Sequence, residues 1–379
     1  LSTSQRTFCR IPARSVSAGV LAWRGPMNIG KTMCRIIWKD DFFPETEGYF
    51  IPSDGLLAIA SVAGFELEGY LVTRPDAAEE IAPLEENDLF RQIVEREGVK
   101  NQAEADWPGF DLTDWQTLCR DVCESGKPVL LYLEKTPVMA FIQKADEQGV
   151  LLDEFREDGN WRGKMYRIPY EEMERMVIGD RVTRLTAKYL DRRLAPAELT
   201  EVGNTPAETL RAGMRQKVLC DVESSGFIRQ VYPVAVTRNL YVAACAEDFL
   251  LDGYEIGATS ALKNVCLRPD YTDAVYREEG LKAQLAAPLL PMRGWREMLE
   301  ALKAQRRFVE ISRTEADCRE EFYFGRIRET TERAVTLDIF DELGGWTDEP
   351  LRIPYEKIGT VAFGMRTLEL LGRYAGEAE

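Results

Sequence analysis

The chain contains an internal duplication, and this feature restricts its fold more than any other. Residues 139–189 match residues 324–374 at a constant shift of 185 positions without a gap, and 18 of the 51 positions are identical. The clearest matched run, Arg-Ile-Pro-Tyr-Glu, begins at Arg167 and again at Arg352. Because weaker matches continue upstream until each copy has the size of a domain, the pattern predicts a two-domain tandem rather than a short-period solenoid.

The repeat and the composition around it predict the domain organisation. The first 26 residues are basic and carry no acidic side chain, which predicts a leader that is disordered or foreign to the native protein. Thr205 followed by Pro206 predicts a helix start between the copies, since Thr caps helices and Pro suits the first helical position. The predicted organisation is a leader at 1–26, a first copy at 27–192 with units at about 31–98 and 113–192, a linker with a short helix at 193–215, and a second copy at 216–379 with units at about 217–282 and 294–376.

Within each copy the hydrophobic pattern is mostly that of β-strands. In the second copy, residues 295–305 have helical spacing, and five short strand patterns begin at Phe308 before a closing helix at 367–374. Another β-rich unit precedes this one, and the first copy repeats the order. The predicted class is mainly β with flanking helices (α+β), with the five short strands closed into a small barrel because closure removes exposed sheet edges.

This order of elements resembles a known group of folds. A helix, a strand pair around a glycine turn, and an Ile-Pro dipeptide leading through a tight turn into a last strand are similar to the small barrels of the Sm-like and SH3-like groups. The resemblance covers residues 115–189 and 295–374. The resemblance implies a tandem duplication of small SH3-like or Sm-like barrel units, about two in each copy. The similarity to the Sm-like group implies association with nucleic acid as one alternative function.

Composition excludes several classes of chemistry and favours one class of partner. The 379 residues include no histidine, which rules out Ser-His-Asp catalysis and histidine-ligated zinc. With 48 basic and 64 acidic residues the formal net charge is −16, which disfavours nucleic acid and favours a basic protein or peptide as partner. The 8 cysteines form no Cys-x-x-Cys pair, which is typical of reduced cytoplasmic thiols. The longest apolar stretch, residues 55–65, is too short for a membrane span, and no cofactor or metal is predicted.

One nucleotide-binding pattern occurs near the start of the chain. Residues 25–32 fit GxxxxGK[ST], in which backbone N–H groups wrap phosphates while Lys and Thr serve the γ-phosphate and Mg²⁺. The residues concerned are Gly25, Gly30, Lys31 and Thr32. A P-loop must open a helix, yet the matched segment of the second copy, residues 217–222, has a strand pattern. A nucleotide-binding enzyme is therefore kept as an alternative, and no catalytic residue is assigned.

A second candidate is a set of polar and aromatic residues present in both copies. It could form a binding notch, in which the indole and phenol rings offer flat surface and the Arg side chains bind a carboxylate. The alternative is structural, with Trp packed across a hairpin and Asp–Arg pairs on neighbouring strands. The members are Asp153, Trp161, Arg167, Tyr170, Glu171 and Arg181 in the first copy and Asp338, Trp346, Arg352, Tyr355, Glu356 and Arg366 in the second. The favoured function is a non-catalytic tandem β-barrel protein that mediates protein or peptide interaction, with a regulatory role as one form of it.

Overall fold

The computed structural model describes residues 32–39, 45–134, 136–192, 194–224, 227–314, 320–340 and 345–375. They form two compact units that divide after residue 193. The predicted leader lies outside the described residues. No helix in these ranges is both long and apolar enough to cross a membrane.

The first unit alternates groups of strands with helices. Its elements are β1 (Met33–Trp38), β2 (Glu45–Ile51), β3 (Leu57–Ala63), β4 (Glu66–Thr73), β5 (Ala78–Pro83), α1 (Leu89–Arg96), α2 (Val99–Asp106), α3 (Trp115–Ser125), β6 (Pro128–Leu133), β7 (Thr136–Asp146), β8 (Gly149–Phe155), β9 (Tyr166–Ile168), β10 (Met173–Ile178) and α4 (Arg181–Lys188). Single 3₁₀ turns at Pro75–Ala77 and Tyr170–Glu172 precede β5 and β10.

The second unit has a closely similar order and begins with the predicted linker helix. Its elements are α5 (Pro206–Gln216), β11 (Leu219–Ser224), β12 (Phe227–Val236), β13 (Leu240–Glu247), β14 (Leu250–Ala258), β15 (Leu262–Arg268), α6 (Tyr271–Glu278), α7 (Trp295–Ala304), β16 (Phe308–Thr314), β17 (Glu320–Thr330), β18 (Ala334–Phe340), β19 (Leu351–Pro354), β20 (Ile358–Phe363) and α8 (Arg366–Tyr374). The Thr205 side chain caps α5 by accepting from the Glu208 backbone N–H, as the sequence predicts.

Each unit contains one antiparallel sheet of ten strands. The strand order is β5-β1-β2-β3-β4-β10-β6-β7-β8-β9 in the first unit and β15-β11-β12-β13-β14-β20-β16-β17-β18-β19 in the second. Two groups of five strands therefore join edge to edge within each sheet. In the first unit the joint pairs residues 70–73 of β4 with residues 175–178 of β10, and in the second it pairs residues 254–257 of β14 with residues 360–363 of β20.

The prediction of mainly β structure with flanking helices is confirmed, but the prediction of closed small barrels is wrong. The described strands form open sheets, with β5 and β9 at the two edges of one and β15 and β19 at the edges of the other. The prediction assumed that the two end strands of each five-stranded group pair with each other, so that neither edge is exposed. Instead, one of these edges pairs with the fifth strand of the neighbouring group, which satisfies the same backbone hydrogen bonds.

The core of the second unit shows why these segments form the elements they do. Met298, Leu299 and Leu302 recur at helical spacing on α7 and are fully buried. They pack against alternate residues of the strands, among them Val309, Val335 and Leu337. Because side chains alternate across a strand, this packing leaves the other face of β16 to β19 available for the polar and aromatic candidate residues.

Candidate functional site

The two matched tryptophans occupy equivalent positions in the two sheets. Trp161 forms an isolated antiparallel bridge with Phe155, and Trp346 forms one with Phe340. Each indole also packs edge-on against that phenylalanine, with ring centroids 6.1 Å apart in the first sheet and 5.3 Å apart in the second. Both indoles are half-buried. They therefore contribute to packing and also keep part of a flat surface exposed.

In the first sheet the candidate arginine is held by an acidic residue. The Arg167 guanidinium donates to both carboxylate oxygens of Asp146, at 2.5 and 3.1 Å. The Tyr170 hydroxyl donates to the Asp146 carbonyl at 2.9 Å. Hydrogen bonds from Arg167 and then from Lys144 hold the pKa of Asp146 well below its usual range. Arg167 therefore has its carboxylate already, from within the same sheet.

The second sheet has a similar arrangement but no acidic residue at the position that matches Asp146. Thr331 stands where the first sheet has Asp146, and the Tyr355 hydroxyl donates to the Thr331 carbonyl at 2.8 Å. Arg352, the counterpart of Arg167, is exposed and makes no ion pair within the described part of the chain. The difference at this one position thus leaves the Arg352 guanidinium without an acidic partner among the described residues.

The surroundings of the two tryptophans also differ. In the first sheet Phe141 packs against Trp161 at 5.9 Å between ring centroids, and the Trp161 indole N–H donates to Asp191 at 3.2 Å. In the second sheet the position of Phe141 is taken by Arg326, whose guanidinium carbon lies 5.5 Å from the Trp346 ring centroid.

Arg326 is also stacked on a second ring. Its guanidinium carbon lies 4.5 Å from the ring centroid of Phe308. A Cβ atom added at Gly372 of α8 would come within 2.3 Å of the Phe308 ring, so the ring is in close contact with this helix. Arg326 is exposed, and no acidic side chain among the described residues pairs with it. The two rings therefore hold one exposed guanidinium in a defined position.

The remaining candidate residues from the sequence do not all lie near the two tryptophans or the two matched arginines. Asp338 pairs with Arg328 at 2.6 Å, whereas Asp153 makes no ion pair with a described residue. Arg181 pairs with Glu66 of β4 at 3.0 Å, and the Arg366 backbone N–H donates to Asp252 at 2.7 Å. Glu171 and Glu356 are exposed on 3₁₀ turns.

Of the nucleotide-binding pattern, only Thr32 is described; Gly25, Gly30 and Lys31 lie outside the described residues. Thr32 directly precedes strand β1, and its carbonyl accepts from the Phe50 backbone N–H at 3.3 Å. The chain after this pattern is thus a strand, whereas a P-loop leads into a helix whose N-terminus faces the phosphates.

Identity between matched positions does not point to Arg326, Phe308 or Asp146, because these residues differ between the two units. The signal was present in the same alignment, as the exchanges of Phe141 for Arg326 and of Asp146 for Thr331. Models of known protein families give no match to the chain, and neither do curated proteins.

Proposed function

We propose that the protein is a non-catalytic interaction protein that binds another protein or peptide through its second sheet. In this proposal the two copies arose by tandem duplication of five-stranded units related in strand order to the Sm-like and SH3-like groups. The first copy acts mainly as a scaffold, and the second carries the binding surface.

One observation carries the proposal. Two matched arginines have opposite environments: Asp146 binds Arg167 through both carboxylate oxygens, whereas Arg352 is exposed and makes no ion pair with a described residue. Tryptophan and arginine are among the residues that most often dominate binding energy at protein interfaces. The second sheet has both a half-buried Trp346 and an exposed Arg352.

Affinity capture with matched variants tests the proposal. Arg352→Ala and Trp346→Ala alter the second sheet, and Arg167→Ala and Trp161→Ala alter the same positions of the first. We expect a partner captured in stoichiometric amount by the wild type and the first-sheet variants, with nuclease present, and lost by the second-sheet variants. Equal loss in both sheets would contradict the proposal, and a partner that disappears with nuclease would favour nucleic-acid association instead.

Thermal unfolding of each variant separates binding from folding. Truncating a fully buried Trp costs about 3–5 kcal/mol. Because the Trp346 ring is only half-buried, we expect about 2 kcal/mol, which leaves the second unit folded. If Trp346→Ala unfolds the second unit, Arg352→Ala, which removes an exposed side chain, remains as the test of binding.

A further inference from the structure

One face of the second sheet carries two exposed arginines that make no ion pair with a described residue, although the protein as a whole is acidic. Arg326 lies directly opposite Phe308 and Asp338 in the strand ladder, and Arg352 lies opposite Thr336, two residues before Asp338 on the same strand. Directly opposed residues, and residues two apart, point to the same side of a sheet. We call this surface the Arg326 face.

Two guanidinium groups on the Arg326 face, those of Arg326 and Arg352, make no ion pair with a described residue. Arg328 pairs with Asp338 at 2.6 Å, which neutralises that carboxylate. Glu329 is exposed and opposes Thr336. Glu310, two residues from Phe308 on the same strand, belongs to this face and is buried. Three arginines and three acids therefore lie on the Arg326 face, and Arg326 and Arg352 make no ion pair with a described residue.

Arg326 is positioned in advance for binding an anionic group. Its guanidinium is stacked over Phe308 at 4.5 Å and lies 5.5 Å from Trp346. A guanidinium stacked by its flat face keeps its N–H edge available for a planar carboxylate, and it loses less side-chain entropy when the carboxylate binds. The matched position of the first sheet has no arginine, because Phe141 occupies the position of Arg326.

We propose that the Arg326 face binds an extended peptide segment rich in carboxylates, with Arg326 and Arg352 each binding one acidic side chain. This inference rests on the proposed function and names the chemistry of the partner segment. The two arginine Cα atoms are separated by two strand spacings and two residues, roughly 12 Å. Carboxylates four residues apart in an extended segment are about 13 Å apart at Cα, which matches this distance, and a segment with carboxylates on alternate residues contains such pairs.

Calorimetric titration of the full chain with two synthetic peptides tests this proposal. The probe is acetyl-Glu-Gly-Glu-Gly-Glu-amide, and the control is the same peptide with Gln in place of each Glu. At about 0.15 M salt the screening length is about 8 Å, so general repulsion by the acidic protein is reduced while direct contacts remain. We expect binding of the Glu peptide only.

Three variants that each remove one positive charge locate the site. Arg326→Gln and Arg352→Gln should each weaken binding about fivefold, and the double variant about 25-fold, because the two sites are far enough apart to act independently. Arg238→Gln is the matched control, since Arg238 is an exposed arginine of the same unit that makes no ion pair with a described residue and precedes β13. It should leave the affinity unchanged.

Several results would overturn the proposal: no binding of the Glu peptide below millimolar concentration, equal binding of the Gln peptide, or equal weakening by Arg238→Gln. The outcome is separable from that of the proposed function. A captured partner that depends on Trp346 but not on Arg326 would contradict only the acidic-peptide proposal. A Glu peptide that binds as expected, with no partner captured through the second sheet, would contradict only the proposed function.

Discussion

The first and second sheets share their strand order, but the side chains at their matched positions have different interaction partners. In the first sheet, Asp146 and Asp191 supply partners to Arg167 and Trp161 from within the sheet's own unit. In the second sheet, Arg352 has no such partner among the described residues, and Arg326 stacks on rings. An identical residue at matched positions of the two units therefore does not have one role, because its neighbours decide whether it is internal structure or available surface.

The contrast is reversed in the buried interior. Asp273 is fully buried and accepts from the Tyr232 hydroxyl at 3.0 Å and from Lys282 at 2.7 Å. Burial, and then the charge of Asp273, raises the pKa of Tyr232 far above its usual range. In the first unit the Tyr49 hydroxyl is buried and finds no partner among the described residues. Tyr49 follows Gly48, the partner of Cys34, as Tyr232 follows Val231, the partner of Cys220.

The largest expected effect comes from breaking this buried network. Asp273→Ala leaves Lys282 and the Tyr232 hydroxyl without their acceptor, and we expect a loss of about 3–5 kcal/mol in the free energy of unfolding of the second unit. Tyr49→Phe is the matched control: it removes a hydroxyl that already lacks a partner, so its expected cost is close to zero. Denaturant unfolding of both variants measures the difference, and a cost for Tyr49→Phe above about 1 kcal/mol would show an unseen partner.

A smaller effect is expected at the contact between helix α8 and strand β16, where the side chains differ in size from those at the matched positions of the first unit. Gly372 is in close contact with Phe308 in the second unit, whereas the matched residues of the first unit are Ala187 and Pro128. Gly372→Ala would place a methyl group 2.3 Å from the Phe308 ring. We expect a cost of about 1–2 kcal/mol, after the gain in helix propensity is included.

The double variant Gly372→Ala with Phe308→Leu tests that explanation. Leucine frees space at the contact, so the added methyl should cost less in this background, and the interaction term of the double-mutant cycle should be favourable. Additive costs in thermal unfolding would mean that the close contact does not limit stability. Ala187→Gly in the first unit should cost about 1 kcal/mol, through helix propensity alone.

The smallest effect concerns the pH dependence of the contact between Asp146 and Arg167. The pKa of Asp146 is lowered in the folded state, so this contact stabilises the first unit above the ordinary carboxyl pKa, about 4, and the stabilisation is lost as the pH falls through the lower folded value. Melting temperatures of wild type and Asp146→Asn should differ by a constant amount between pH 7 and 5, and the difference should shrink steadily as the pH falls below 4. A difference that is as large at pH 2 as at pH 5 would contradict this origin.

Local pattern predicted most of the elements, because their causes are local. Helical spacing placed α7, Thr205 and Pro206 placed the start of α5, and alternation placed the strands around the Ile-Pro dipeptides. The prediction of closed barrels was wrong because it depends on which strand the last strand of a five-stranded group pairs with. That strand can pair within its own group or with the next group, and the choice depends on residues about 100 positions away. The Arg326 face was missed for a related reason: it depends on which side chain stands opposite another in the ladder, as Arg326 stands opposite Phe308.

The joint between β4 and β10 also determines the order in which the first unit can form. The Thr73 hydroxyl donates to the Glu174 carbonyl across 101 positions of sequence. During synthesis the edge of β4 therefore remains uncovered until β10 has left the ribosome, and at roughly 5–20 residues per second this interval is roughly 5–20 seconds. Contacts so distant in sequence slow folding, and an uncovered strand edge is prone to aggregate in the meantime. The ten-stranded sheet is therefore most vulnerable during synthesis, before β10 pairs with β4.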